Sequence, residues 1–485
     1  MSKVYVPYGL AATCGPGCRA EIIPGKGGFG GPPDVYPLPE NYSSPLAELP
    51  DWFTYEPQVE ISREGIQLGN KAQLQGTPTV ESAQNVSMKI DEPGVNGFVV
   101  TDDCEYTIRD SVIELHGDGV DDFAGYSAGV KAANCSTVVL ENTKITTSGV
   151  IRPCTSATEY STMIVRNCEF NTLGGHLDKS QPARPGAGKA MKEPPPGLGI
   201  GGNCRTHLSV GDSHTYFYDS KIYAEGWAGL STDACYGDLY LEANRCEVEI
   251  RGLGYASYCD NGGNVVLNDS RLKATVGVIV AGQCREYLNR CDLEADHYGA
   301  LIHSVHGNTH QLAELSVVGG RIHTGRECIL IKSHNAYLDI RGAELASDVG
   351  TLIHTMENDD AHATELPDYE PVYGVKVALS DMTVNGDIIH EDVKRTFCLT
   401  MKHVKMRGRI ENAVLVMDPA TTWIATADSH VTVTAAGPVG NIDALEGVTV
   451  YVKGDVYAPG TVLELPSGGK LVSVDIPPQH LELSF

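Results

Sequence analysis

Three short stretches of the chain repeat one phrase. Leu301-Ile302-His303-Ser304, Leu330-Ile331-Lys332-Ser333 and Leu352-Ile353-His354-Thr355 each read apolar, apolar, base, small hydroxyl. As equivalent parallel strands they would set His303, Lys332 and His354 above one another at about 4.8 Å per step. Charged neighbours at that spacing repel, so their pKa values are expected to fall toward neutrality. A Lys332 or His303 of lowered pKa can take a proton from a carbon beside a carboxylate. Lys131 or Arg152 would then hold the negative charge that develops.

Aligning the equivalent segments extends this column. An apolar position that runs through Val130, Ile151, Leu230, Ile279, Ile302, Ile331 and Ile353 must face inward. The residue after it would then face outward: Lys131, Arg152, Tyr258, His303, Lys332, His354 and His390. Two positions further on, Asp233, Asp260, His334 and Asp392 share that side. Acid–base work needs one protonated and one deprotonated group close together, and this face supplies both kinds. The candidate catalytic residues are therefore His303, Lys332, Asp260, Asp233, Tyr258 and His354. Lys131, Arg152, His306, His334 and His390 are the candidate substrate contacts. The competing account is a solvated β-face, where outward polar residues are ordinary. Asp121-Asp122, Tyr126 and Tyr255 fall just ahead of strand starts and could line a rim.

A repeating chain must position these residues. The phrase apolar–x–Asn/Asp–small–x–apolar occurs as Leu140 to Ile145, Val165 to Phe170, Phe217 to Ile222, Leu267 to Leu272 and, with Arg at its third place, Leu288 to Leu293. Its closing apolar residue runs through Ile113, Ile145, Phe170, Ile222, Val248, Leu272, Leu293, Ile322, Leu345, Val384 and Met406, with most steps between 21 and 32 residues. Steps of that size signal stacked repeats. The segments are short, alternate in polarity and are rich in β-branched residues. A leucine-rich signature is absent, and a propeller would need four strands per unit. The expected fold is all-β, a right-handed parallel β-helix of roughly 10–12 coils. Residues 1–96 read as an irregular N-terminal segment and 97–420 as the solenoid, with inserted loops at 171–199 and 356–373. Residues 421–485 read as final coils or a small β cap. A second phrase, ending in Asn/Gln–Cys at Cys135, Cys204 and Cys284, fits stacked packing ladders better than thiol chemistry.

Bulk properties narrow the partners. The chain has 485 residues and a formal net charge of −26. So acidic a surface disfavours nucleic acid and anionic membranes. No run of about eighteen apolar residues marks a membrane span. The opening Met1-Ser2-Lys3-Val4-Tyr5 lacks the apolar core of an export signal, so the 14 cysteines are expected as reduced thiols in a cytoplasm. Gly25-Lys26-Gly27-Gly28-Phe29-Gly30-Gly31 lacks the Gly-Lys-Ser/Thr ending of a phosphate loop and reads as a surface loop. Cys14 and Cys18 form a single CxxxC, too little for a metal site. No cofactor is expected.

The repeat pattern over 97–420 resembles the pectate-lyase-like superfamily of right-handed β-helix proteins. That resemblance implies a carbohydrate lyase, hydrolase, epimerase or esterase, with its site in a groove on an outer sheet, often in a trimer or dimer. Its polygalacturonase-like members carry Asn-Thr-Asp, Asp-Asp, Gly-His-Gly and Arg-Ile-Lys in order. Here Ser231-Thr232-Asp233, Cys259-Asp260-Asn261, Val305-His306-Gly307 and Leu330-Ile331-Lys332 echo that order. The second Asp, the leading Gly and the Arg are replaced. In that pattern Asp233 and Asp260 would be the acid/base pair and Lys332 a substrate contact. Three functions follow as expectations. The first is a lyase, isomerase or epimerase acting on a carbohydrate or other polyhydroxylated small molecule or oligosaccharide. The others are a glycoside hydrolase using paired aspartates, and a non-enzymatic binding or structural coil.

Overall fold

The computed structural model describes residues 56–119, 125–174, 204–210, 212–233, 239–260, 263–282, 284–303, 312–358, 374–392, 394–433, 441–454 and 456–474, and the backbone of strands 3–7 and 21–27. Among these residues every regular element is a β-strand, and no helix is long and apolar enough to cross a membrane. The strands are mostly parallel. The chain divides into two compact units, 1–286 and 287–485. Each is described by itself.

In the first unit, from Ser82–Gln84 through Glu247–Ile250, each strand pairs in parallel with the strand three places later. One sheet runs through Glu105–Arg109, Thr137–Glu141, Thr162–Arg166, His214–Tyr218, Leu239–Asn244 and Gly263–Asn268. A second runs through Val112–His116, Lys144–Ser148, Glu169–Leu173, Lys221–Ala224 and Glu247–Ile250. Here the closing apolar residues of the first phrase lie in register: Ile113, Ile145, Phe170, Ile222, Val248 and Leu272 pair in succession. All are essentially inaccessible. Each such side chain contributes about 1.5–3 kcal/mol of apolar burial.

The phrase also explains its own corner. Asn142, Asn167, Asp219 and Asp269, at its third position, hold φ between +49° and +51°. Asn and Asp tolerate this left-handed backbone better than other residues with a Cβ. Two of them join along the stack, with Asn167 Nδ2 donating to Asn142 Oδ1 at 2.7 Å. The small fourth residue bonds along the stack. Ser220 Oγ accepts from the Cys168 amide at 3.1 Å and donates to the Tyr218 carbonyl at 2.8 Å. In the second phrase Cys204 and Cys284 are buried, Cys135 is half-buried, and Cys284 Sγ donates to the Cys259 carbonyl.

The third sheet carries the residues of chemical interest. In the first unit its strands are β1 (Asn96–Val100), β2 (Val130–Ala132), β3 (Thr155–Ala157), β4 (Arg205–Val210), β5 (Trp227–Asp233) and β6 (Gly254–Asp260). The second unit, taken by itself, has a sheet of β7 (Asp292–His303), β8 (Ile329–Lys332), β9 (Thr351–Met356) and β10 (Asp387–His390). Strands of the first two sheets alternate buried and half-buried residues. Strands β1 to β4 and β8 are buried at every residue, so both faces are covered there, whereas β9 and β10 keep half-buried positions. Lys131, His303 and Lys332 of the outward column are therefore covered and do not stand in water as the sequence pattern suggests. Continuous apolar runs such as Phe98-Val99-Val100 and Ala300-Leu301-Ile302 are what a strand covered on both sides requires.

Candidate active site

The second unit brings three of the predicted bases onto one face. His303 pairs with Lys332 across β7 and β8. His354 does not continue that column: it pairs with Leu330, and Lys332 pairs with Met356. The slip is two residues, so strand alternation leaves His303, Lys332 and His354 on the same side. His390 pairs with Thr355 and faces the opposite way. Its ring stacks on Phe397 with centroids 5.2 Å apart. His390 Nε2 donates to the Arg395 carbonyl at 2.9 Å, and the Thr355 hydroxyl donates to Nδ1. Both ring nitrogens are used inside the fold, so His390 as placed packs within the strand turn and not on the face of His354.

His303 and Lys332 are 5% and 4% exposed and close their strands, His303 at the edge of the described residues. His354 is more open and sits between two carboxylates. Glu327, ahead of β8, places Oε1 3.1 Å from His354 Nδ1. Glu391, just beyond β10, places Oε2 3.2 Å from Nε2. Glu327 is 20% exposed at its side chain and Glu391 63%. The hydrogen bond to Glu327, and then that to Glu391, hold the His354 pKa above its ordinary value against the opposing effect of burial. The same bond holds Glu327 below the usual carboxylate range. The expectation that stacked bases push His354 toward lower pKa is thus reversed. Its ring faces two carboxylates and is out of register with Lys332.

The two carboxylates grip opposite ring nitrogens and do not converge on a point. Among the described residues, no group of three or more His, Cys, Asp or Glu is arranged to hold a metal ion.

No family model and no curated protein matches this chain.

The remaining candidates belong to other surroundings. His334 is wholly buried at the turn after β8, and its Nδ1 donates to the Asn335 carbonyl at 2.7 Å. Burial pushes its pKa down to about 4. In the first unit Arg152 is not an outward strand residue stacked with Lys131. It lies in the connection before β3, fully buried, while Lys131 pairs with Ser156. Arg152 Nη1 donates to the carbonyls of Glu92, His116 and Gly117 at 2.9, 2.7 and 3.0 Å, and Nη2 to that of Val95 at 2.9 Å. It ties three turns of chain together and has a structural use. Lys131 is also fully buried, with Nζ 5.8 Å from the centroid of Tyr126. Tyr258 is half-buried against Tyr255, ring centroids 5.3 Å apart. Asp233 and Asp260 close β5 and β6, and their side chains lie outside the described structure. His306, Asp121, Asp122 and most of both inserted loops also lie outside it.

Sequence reasoning missed Glu327 and Glu391. Both lie in connections, where the strand alignment does not reach. A signal existed: Glu391 directly follows the aligned His390, and Glu327 precedes Cys328-Ile329 at the start of an aligned strand.

Proposed function

We propose that the chain is an acid–base enzyme of the lyase, isomerase or epimerase kind, with His354 as its proton-transfer group. The observation that carries this reading is the placement of His354 between Glu327 and Glu391 on the face shared by Lys332. The half-buried Glu327 fixes Nδ1–H and the ring's orientation, as the carboxylate does in an imidazole-based triad. The exposed Glu391 holds Nε2 only until a substrate replaces it. On that exchange the Nε2 proton is released to water, and the bare Nε2 then takes a proton from a carbon beside a carboxylate or carbonyl. The C–H bond breaks, its electrons pass to the substrate oxygen, and Nε2–H forms. Glu327 stabilises the imidazolium. Lys332 meets the negative charge on the substrate, aided by its burial, because low polarity strengthens such contacts.

The fold part of the proposal is a right-handed parallel β-helix within each unit. Pairing of every third strand in the first unit supports it, as does the near-universal right hand of parallel crossovers. The substrate class is a carbohydrate acid or another polyhydroxylated small molecule.

The test is solvent-deuterium incorporation into a panel of uronic and aldonic acids and polyuronides, followed by NMR. The wild-type chain should exchange a C–H next to the carboxylate of at least one of them. His354→Ala and Lys332→Met should each slow exchange by about 100-fold or more. New reducing ends without exchange would make the protein a hydrolase. Sugar binding with neither exchange nor cleavage would make it a binding coil.

A further inference from the structure

Charge is arranged along the first unit in a way that core packing does not require. The residue before each closing apolar position is exposed or half-buried. Lys144, Glu169, Lys221, Glu247 and Arg271 hold this place on successive repeats and stand in register. Their signs alternate without a break. Lys144 Nζ lies 2.7 Å from Glu169 Oε1. The neighbouring sheet repeats the rule with Arg109, Glu141 and Arg166 in register, and Arg166 Nη1 donates to Glu141 Oε1 at 3.2 Å. Lys89 faces Glu114, and Glu249 faces Lys273. Among the described residues of these two sheets as far as Lys273, no Asp, Glu, Lys or Arg is in register with a charge of its own sign. In the second unit Asp292, Arg321 and Glu344 alternate in the same way.

Composition does not produce this. The chain has 62 acidic and 36 basic residues, so neighbours drawn at random would be like-signed about as often as opposite. Exposed ion pairs add little to stability one at a time. What a row of them can do is discriminate. Lys144 and Lys221 are two repeats apart, as are Glu169 and Glu247, Lys221 and Arg271, and Arg109 and Arg166. A pairing that left out one repeat would still turn Ile145 and Ile222, or Phe170 and Val248, inward. It would also set like charges opposite one another, which destabilises a strand pair.

We infer that the alternating rows are a register key. While the chain folds, they let each repeat accept its neighbour in sequence and reject the repeat beyond it. Hydrophobic burial fixes which face turns inward. The charge rows fix the order of the repeats, a task independent of the proton-transfer chemistry.

Refolding of the full chain from urea tests this, read as the fraction recovered at the native elution volume. It is run at about 10 mM and about 1 M salt, where screening lengths are about 30 and 3 Å. Lys221→Glu opposes a carboxylate to both Glu169 and Glu247. It should lower recovery about two-fold or more relative to the wild type at low salt, and by less at high salt. Lys221→Gln removes the attraction without the repulsion and should recover better than Lys221→Glu. Lys144→Glu, Glu169→Lys, Lys221→Glu, Glu247→Lys and Arg271→Glu together invert every sign and keep the alternation, so that variant should recover like the wild type. The key is overturned if the full reversal refolds as poorly as Lys221→Glu, or if the loss in Lys221→Glu is the same at both salt concentrations. It is equally overturned if Lys221→Glu lowers only the urea midpoint and recovery stays whole, since the row is then ordinary surface pairing.

Discussion

Glu327 Oε1 lies 3.1 Å from His354 Nδ1, and this bond is the largest influence holding the imidazole above its ordinary pKa. In an NMR titration His354 should therefore titrate above an exposed histidine. Glu327→Gln should bring it down. Glu391→Gln should do so by less, because its contribution is the smaller of the two hydrogen bonds. As a base, His354 works when neutral, so the acid limb of the rate profile follows its pKa. Lowering that pKa moves the limb to lower pH. A limb that stays in place in Glu327→Gln would remove this pair from the mechanism.

Arg152 tests whether a buried cation of the first unit is structural. Its four bonds to main-chain carbonyls would all be lost in Arg152→Met. Charged hydrogen bonds and orphaned buried acceptors of this kind cost several kcal/mol, so a loss of about 3–5 kcal/mol is expected in urea unfolding. Arg152→Lys should recover only part, since an ammonium lacks the planar fork. Under conditions where the variant stays folded, substrate affinity should not change. A Km effect without a stability effect would return Arg152 to the site.

How far the sequence shows these features depends on what each position must satisfy. Ile113, Ile145, Phe170, Ile222, Val248 and Leu272 were legible because a shift of one residue would turn each into solvent. A shift of two is a different matter. Ile353 pairs with Ile329, where the repeated phrase suggests Ile331, and both pairings keep an apolar side chain inward. Hydrophobic pattern cannot distinguish these registers, which is why the three bases look like one vertical column. Lys131 and Lys332 raise another limit, because a side chain's polarity says nothing about chain that covers it from elsewhere. Glu327 and Glu391 act from connections, where no periodicity marks a residue.

The corner residues make a backbone prediction. Asn167 holds φ at +51° and donates to Asn142. Asn167→Ala loses both the tolerance for that conformation and the side-chain bond, at about 1–2 kcal/mol. Asn167→Gly gives up the bond but relieves the backbone, so it should cost less than the alanine. Chemical denaturation of the two variants side by side decides this. If alanine is the milder change, the left-handed corner is not what selects Asn in the repeated phrase.

Glu286 makes the stability of the first unit depend on pH. Its carboxyl is wholly buried in the first unit, and burial pushes its pKa up to about 8 against the opposing pull of the Ser257 hydroxyl. An unfolded glutamate titrates near 4.5. Between those values the folded chain keeps a proton that the unfolded chain releases, so stability must fall as pH rises. The contribution is complete below the unfolded pKa and is lost as pH climbs through the folded one. Over that window the fall is on the order of 5 kcal/mol at about 1.4 kcal/mol per pH unit. Glu286→Gln keeps the shape and removes the titration. Unfolding in urea at pH 5, 7 and 9 should therefore show the variant gaining on the wild type as pH rises, with most of the gain made by pH 8. Parallel curves for the two proteins would mean that Glu286 reaches water or a partner in the folded state, and the buried neutral carboxyl would have to be abandoned.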